Sequence, residues 1–203
     1  MLLMLYLIAI VAEAMTGALS AGRRGMDWFG VVLVACVTAL GGGSVRDIML
    51  DHYPLTWVKH PEYLVLTSVA ALVTILIAPL MRHFRSLFIA LDAVGLVAFT
   101  LIGCQTALEV GNSMLVASIS GVITGVFGGI LRDIFCNDIP LILRRELYAC
   151  VSFLSAWFYM LCIFLDMSSE QAILLTLCSG FLLRLLAVRF QWEMPKFIYS
   201  DEH

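Results

Sequence analysis

Two copies of one short motif carry the residue types that could act on an ion or a polar solute. Residues 38–54 read TALGGGSVRDIMLDHYP and residues 124–140 read TGVFGGILRDIFCNDIP, so matching positions lie 86 residues apart. A fixed offset indicates internal duplication, and charges at the end of an apolar run are costly unless something requires them. The residues predicted to line a pathway or bind a solute are Thr38, Gly41, Gly42, Gly43, Arg46 and Asp47 in the first copy, and Thr124, Gly125, Gly128, Gly129, Arg132 and Asp133 in the second.

The motif glycines have two interpretations. A glycine costs roughly 1 kcal/mol in a helix interior relative to alanine, so the glycine sets favour a kink or a break. A break would expose backbone groups to a water-filled pathway, as in transporters and channels. The alternative is that the glycines only let helices pack closely. Their recurrence with Thr38, Thr124 and the Arg-Asp pairs favours the pathway, and the two threonines are the best candidates to line it.

The Arg-Asp pairs also have two interpretations. Adjacent helical side chains point about 100° apart, so Arg46 and Asp47 are not expected to pair simply with each other. Arg46 could instead reach Asp92 or Asp133 across the interface between the copies, forming an electrostatic gate or a substrate clamp. The structural alternative is that the arginine snorkels to the membrane surface and the aspartate caps a short helix running to the proline of the motif.

Two further carboxyl groups, those of Glu13 and Asp92, lie inside apolar runs. Each has alanine beside it, and the separation of 79 positions suggests equivalent sites joined by loops that differ by seven residues. An acid within a membrane span is paired, protonated or faces the interior of the bundle. We expect each to pair with an arginine, with attraction of cations as the second role, and Arg184 is a predicted partner.

The elements that must position these residues are membrane helices. The chain is 62% hydrophobic and 13% charged, and apolar runs of about 17–25 residues suit a helical crossing of the bilayer. Without the alternation of barrel strands, these runs predict an all-α integral membrane protein with seven spans and no soluble domain. The runs are Leu2–Leu19, Trp28–Gly43, Tyr63–Met81, Leu87–Glu109, Met114–Ile130, Leu147–Leu165 and Ala172–Val188.

The basic residues predict the orientation of these spans. If the spans alternate, one side of the membrane receives Arg23, Arg24, Arg82, Arg85, Arg144, Arg145, Arg189 and Lys196. Lys59 falls on the opposite side. Positive residues favour the cytoplasmic side, so the N-terminus is predicted outside and the C-terminus inside.

Duplication and orientation together predict the domain organisation. Residues 1–203 form one membrane domain, in which residues 1–82 and 87–166 are three-helix repeats and residues 171–190 are an additional seventh helix. Three spans are an odd number, so the repeats have opposite topology. Inverted repeats are typical of transport proteins, with the pathway at the repeat interface.

Other function classes find little support in the sequence. The six cysteines form no C-x-x-C pair and the four histidines are not clustered, so neither a metal site nor another cofactor is predicted. No catalytic residue is predicted, because the nucleophile and phosphate-binding patterns of common enzymes are missing. A net charge of −3 with scattered basic residues gives no nucleic-acid footprint. The predicted location is the inner (plasma) membrane, as a multi-pass protein in contact with lipids.

The doubled motif, GGSVRD at 42–47 and GGILRD at 128–133, resembles that of the prokaryotic trimeric intracellular cation (TRIC) channels, a bacterial family that also has a glycine-transporter label. The resemblance covers nearly the whole chain. It implies a homotrimer with a hydrophilic pore in each protomer, the second and fifth helices kinked at their glycines, motif charges facing the pore, and passage of monovalent cations, mainly potassium. A Lys-Glu motif of the animal channels is missing, so animal-type gating and lipid regulation are not implied.

Two functions therefore remain open. A passive channel for potassium or sodium is favoured by the resemblance. A carrier for glycine or another small zwitterion is favoured by the local chemistry, because an acid and an arginine in each repeat suit an ammonium and a carboxylate. Arginines in a cation pore, by contrast, raise a barrier.

Overall fold

The computed structural model describes residues 2–78, 84–144 and 147–192, and the regular elements in these ranges are all helices. They are α1 Leu2–Arg23, α2 Trp28–Met49, α3 Thr56–Lys59, α4 Glu62–Ile77, α5 Phe84–Glu109, α6 Met114–Phe135, α7 Leu141–Arg144, α8 Tyr148–Phe164 and α9 Ser169–Arg189. The all-α prediction is confirmed for this part of the chain.

Five of these helices, α1, α2, α5, α6 and α9, are long and apolar enough to cross a membrane. Helices α4 and α8 are also apolar but shorter, at 16 and 17 residues. Each predicted apolar run thus coincides with one helix. Some of the predictions concern residues outside the described ranges. Arg82, Arg145 and Lys196, which contribute to the predicted orientation, lie there, as do the side chains of Arg85 and Arg144. The predicted ends of the third run and of the first repeat, residues 81 and 82, lie there as well.

The centre of the bundle is the crossing of α2 and α6. Helix α1 packs on α2 and α5 packs on α6, while α4 and α8 cover the outer sides and α9 lies against α5 and α8. Fully buried alanines such as Ala9, Ala35, Ala98 and Ala117 line these contacts, and small residues let helices approach closely in a membrane. Large apolar side chains, among them Phe29, Leu76, Leu143 and Phe164, are exposed on the outside.

The elements recur at the same offset as the motif. Helices α2 and α6 begin and end 86 positions apart. Their N-caps, Asp27 and Ser113, match as well, since each side chain accepts a hydrogen bond from the backbone three residues later. Helices α1 and α5 end at Arg23 and Glu109, again 86 positions apart.

Candidate functional site

The motif glycines lie at the crossing of α2 and α6. A Cβ atom added to Gly42 would collide with the carbonyl oxygen of Thr124, and one added to Gly128 would collide with that of Thr38. The two contacts are equivalent by the 86-residue offset, so the helices meet backbone to backbone. Close packing therefore explains Gly42 and Gly128.

Helices α2 and α6 continue through their glycines without interruption. The predicted break is therefore wrong, and the kink stays a prediction. Gly41 makes room for the side chain of Leu131, and Gly125 makes room for the backbone of Leu96 on α5. Since packed neighbours occupy the space of the missing side chains, no break is needed to account for these glycines.

The last glycine of each copy lies beside the motif arginine. An added Cβ would be 3.7 Å from Nη2 of Arg46 at Gly43, and 3.6 Å from Nη2 of Arg132 at Gly129. These contacts are ordinary in length. Gly43 and Gly129 thus border side chains and not a helix backbone: the guanidinium of Arg46 at Gly43, and the Tyr148 hydroxyl (3.1 Å) with the guanidinium of Arg132 at Gly129.

Thr38 and Thr124 are buried and use their hydroxyl groups within their own helices. Each hydroxyl donates to the carbonyl oxygen four residues earlier, at 2.7 Å in both cases. The side chains also fill the space left by Gly17 on α1 and Gly103 on α5, respectively. Helix back-bonding thus describes both residues, and their place along a pathway stays a prediction.

Arg46 and Asp47 form a buried ion pair at the end of α2. Nε and Nη2 of Arg46 donate to Oδ1 of Asp47 at 2.9 and 2.6 Å. The expectation that adjacent residues do not pair is wrong, because the long arginine side chain bends back across the angle between them. Arg46 is also 2% exposed, so it does not snorkel.

The second carboxylate oxygen of each motif aspartate caps a short helix. Oδ2 of Asp47 accepts from the backbone of Thr56, the first residue of α3, at 2.7 Å. Oδ2 of Asp133 accepts from the backbone of Leu141, the first residue of α7, at 2.9 Å. The capping alternative is therefore correct, except that each short helix begins after the proline instead of running to it.

Arg132 is completely buried and holds two carboxylates. Its Nε donates to Oδ1 of Asp133 at 2.9 Å, and its Nη1 donates to Oδ1 of Asp92 at 2.8 Å. Nη1 also lies 3.3 Å from the hydroxyl of Thr16 on α1. The prediction that Arg46 reaches Asp92 or Asp133 is wrong. Both aspartates bind Arg132, which belongs to the same repeat as they do.

Helix α9 adds a second guanidinium to this site. Nη2 of Arg184 lies 3.9 Å from Oδ2 of Asp92, which confirms the predicted pairing of Arg184 with an intramembrane acid. The guanidinium also lies over the ring of Tyr148, 4.7 Å from its centroid. The Tyr148 hydroxyl is 3.4 Å from Oδ1 of Asp92, so Asp92 joins α5, α6, α8 and α9.

Glu13 is buried in the same region but has a different partner from Asp92. Its carboxylate accepts from the hydroxyl of Thr16 at 3.0 Å, and it occupies the space left by the missing side chain of Gly95 on α5. The arginine partner expected for Glu13 is replaced by a hydroxyl. We name Arg132, Asp133, Asp92, Thr16 and Glu13 the Arg132 cluster, and Arg46, Asp47 and Thr56 the Arg46 cluster.

Glu13 and Asp92 are not equivalent positions. Gly17 and Gly103 make the same contact in the two halves and lie 86 positions apart, which sets the register of α1 against α5. In this register Asp92 corresponds to Tyr6 and Glu13 to Phe99. The suggested equivalence at 79 positions is therefore wrong, and the two motif arginines have unlike surroundings.

A cavity of about 490 Å³ leads to the Arg46 cluster. We call it the vestibule. Its lining includes Arg46, Thr56, Tyr6, His52 and Glu109, and Nδ1 of His52 lies 3.3 Å from Oδ1 of Asp47. Arg46, His52, Thr56 and Glu109 give this otherwise largely apolar lining polar groups that can contact water and ions.

Comparison with known proteins decides the family. A family model described as "Glycine transporter" matches residues 3–79 and 89–163. The chain belongs to this family. The UPF0126 inner membrane protein YadS of Escherichia coli strain K12 is 38% identical over 201 residues, which cover 96% of this chain and 95% of that protein. A UPF0126 membrane protein of Vibrio cholerae is 39% identical over 198 residues, which cover 96% and 83%.

Solved structures confirm the resemblance to the TRIC channels. The TRIC trimeric intracellular cation channel orthologue from Rhodobacter sphaeroides matches with a TM-score of 0.90 and 34% identity, covering 93% of this chain and 97% of that one. A second TRIC cation channel matches with a TM-score of 0.88 and 33% identity, covering 98% of both chains. This TRIC-family chain is therefore a multi-pass protein of the inner membrane and not an enzyme, as predicted.

Sequence reasoning missed three residues of the sites in this TRIC-family chain. Thr56 bonds both Arg46 and Asp47 through its hydroxyl, at 2.9 and 2.7 Å, and Tyr148 and His52 each approach a buried aspartate. The distance from motif to short helix was the available signal for Thr56, since an aspartate side chain caps a nearby helix start. Among the described residues, no group of three His, Cys, Asp or Glu side chains could hold a metal ion.

Proposed function

We propose that this protein is a channel that passes monovalent cations, potassium first and sodium second, through a hydrophilic pore inside each protomer of a homotrimer. The observation that carries the proposal is the pair of buried Arg-Asp sites at matched ends of α2 and α6, one of them reached by the vestibule. The similar solved proteins are cation channels, which supports the same function here.

The proposed topology has seven spans, with the N-terminus outside and the C-terminus inside. Residues 1–82 and 87–166 then form inverted repeats, and residues 171–190 form the seventh span. At about 1.5 Å per residue, the 16 residues of α4 extend about 24 Å, so the bilayer is expected to thin or the ends to snorkel near α4. A kink at the glycines of α2 and α6 remains part of the proposal.

Cations can pass the motif arginines because neighbouring carboxyl groups offset the positive charge. An unpaired guanidinium in a cation pore would raise an electrostatic barrier. Arg46 is paired with Asp47. In the Arg132 cluster with Arg184, three carboxyl groups face two guanidinium groups, and Asp92 contacts both guanidinium groups. The charge balance at either site thus avoids an excess of positive charge.

Purified protein in liposomes tests the proposal against a carrier. We expect potassium flux that follows the potassium gradient, with no saturable uptake of labelled glycine. Empty liposomes provide the background, and added valinomycin shows that the vesicles are intact. Saturable glycine uptake without potassium flux would reject the channel and support a carrier for a small zwitterion.

A further inference from the structure

The two ends of the molecule can be compared residue by residue through the 86-residue offset. We call the end of the bundle that holds the Arg46 cluster the Arg46 end, and the opposite end the Arg132 end. At the Arg46 end, Val110 follows α5 and His52 follows α2, and both line the vestibule. A valine cannot form an ion pair with a histidine, so nothing electrostatic joins these two positions. Glu109 and Val110 are exposed at the rim, so the vestibule reaches the surface of the protein.

At the Arg132 end, the same two positions are Arg24 and Asp138, and they are joined. Nε of Arg24 donates to Oδ2 of Asp138 at 3.2 Å, and Nη2 makes a second, shorter contact with Oδ1. A forked contact of a guanidinium with a carboxylate fixes both distance and orientation. This one ties the loop after α1 to the loop after α6, which lies in the other half of the chain.

A second contact lies beside this ion pair. The guanidinium groups of Arg23 and Arg132 each lie over the ring of Phe88, with their carbon atoms 5.0 and 4.9 Å from the ring centroid. Such cation–π contacts are attractive. The position equivalent to Phe88 is Leu2, which lines the vestibule at the opposite end. The equivalents of several vestibule side chains therefore bind one another at the Arg132 end, where Arg23 also borders a separate cavity of about 420 Å³ between α1, α2 and α4.

We propose that the Arg24–Asp138 ion pair is a latch that holds the Arg132 end of the pathway shut while the Arg46 end is open. It rests on the proposed function only in that the space between the ends is a pathway for ions. Both partners are partly exposed, with 46% and 33% of their side chains accessible. An exposed pair is weak and is screened by salt, so the latch opens readily and opens more at high ionic strength.

Matched cysteine variants test the latch without measuring transport. Thr106 lines the vestibule, and its equivalent on α1 is Ser20, one helical turn before Arg24. We expect the Thr106→Cys variant to react quickly with a water-soluble maleimide in detergent, where both ends are accessible. The Ser20→Cys variant should react more slowly. Peptide mass spectrometry separates these sites from the six native cysteines.

Charge reversal then asks whether the ion pair causes the difference. Adding Arg24→Asp to the Ser20→Cys variant should speed labelling by up to about five-fold, the upper end of the range for loss of one exposed ion pair. Combining Arg24→Asp with Asp138→Arg should restore slow labelling, because the pair forms again with its charges exchanged. The exchanged variant also shows that the single change acts through charge and not through misfolding.

Three results would overturn the latch: equally fast labelling at both sites, no effect of Arg24→Asp, or no restoration by the exchange. Potassium flux is measured separately on the same four proteins in liposomes. Flux that rises in the Arg24→Asp variant and returns in the exchanged variant supports the latch as a gate. Failure of all four to pass potassium would reject the channel, whereas the labelling result would still decide whether the latch exists.

Discussion

A guanidinium buried in an apolar bundle is stable only when carboxylates and hydroxyls hold it, and Arg132 and Arg46 differ in how they are held. Arg132 bonds Asp133 and Asp92, whereas the carboxylate bonded by Arg46 is that of Asp47. Breaking a buried ion pair leaves the partner charge without compensation. The two arginines occupy matching sequence positions, but we expect them to contribute differently to the free energy of unfolding.

Replacing Arg132 with leucine is expected to destabilise the protein more than replacing Arg46 with leucine. The first change removes an ion-pair partner from two buried carboxylates, those of Asp133 and Asp92, and leaves Asp92 with the 3.9 Å contact to Arg184. Breaking a buried ion pair costs about 3–5 kcal/mol. The second change removes the partner of one carboxylate, that of Asp47. The other oxygen of Asp47 still accepts from Thr56 and that of Asp133 still accepts from Leu141, so the expected difference comes from Asp92. Thermal unfolding of the purified proteins in detergent measures the difference.

A charge-matched variant provides the control for this comparison. Arg132→Leu combined with Asp92→Asn also removes the negative charge of Asp92, one of the two carboxylates that lose Arg132 as a partner. The combined variant should therefore recover part of the lost thermal stability. Equal losses for the two arginine variants would show instead that the repeats contribute equally, as their motifs alone predict.

The α2–α6 crossing is the element-scale feature on which the bundle depends. Because Gly42 and Gly128 face carbonyl oxygens of the opposite helix, a methyl group at either position must push the helices apart. We expect Gly42→Ala and Gly128→Ala each to destabilise the protein by about 1–3 kcal/mol, the usual cost of overpacking.

Gly22→Ala is the matched control for the crossing. An added Cβ at Gly22 meets no atom within 4 Å, so this change should be neutral or slightly stabilising through helix propensity. Unfolding midpoints and the elution of each variant on size exclusion give the comparison. Unchanged stability in both motif variants would show that the helices do not cross in backbone contact.

How far the sequence predicts this structure depends on the type of element. Apolar length predicted the helices, and the 86-residue offset predicted which positions match, because both are properties of the chain itself. Side-chain partners were less predictable. The Arg46–Asp47 pair depends on a bent arginine side chain. That Asp92 corresponds to Tyr6, and not to Glu13, became visible only through the equivalent packing of Gly17 and Gly103.

At the scale of the whole molecule, α9 breaks the symmetry between the two halves. It has no counterpart in the repeats, and it places Arg184 against Asp92 and Tyr148 at the Arg132 end. A duplicated core could serve both membrane faces alike. The added helix, the extra carboxyl groups and the Arg24–Asp138 pair make one end different, as expected for a channel whose gate lies at one end.

Inverted repeats make a direct prediction about equivalent loops. Met26 and Asn112 lie 86 positions apart, after α1 and α5 respectively, so opposite topology places them on opposite faces of the membrane. In intact cells, a membrane-impermeant maleimide should label the Asn112→Cys variant, whereas the Met26→Cys variant should react only after lysis. The unmodified protein gives the background from native cysteines, of which Cys178 is exposed. Labelling of both loops from the outside would show that the two repeats have the same topology in the membrane. The two Arg-Asp sites would then lie at the same face and could not be the two ends of one pathway.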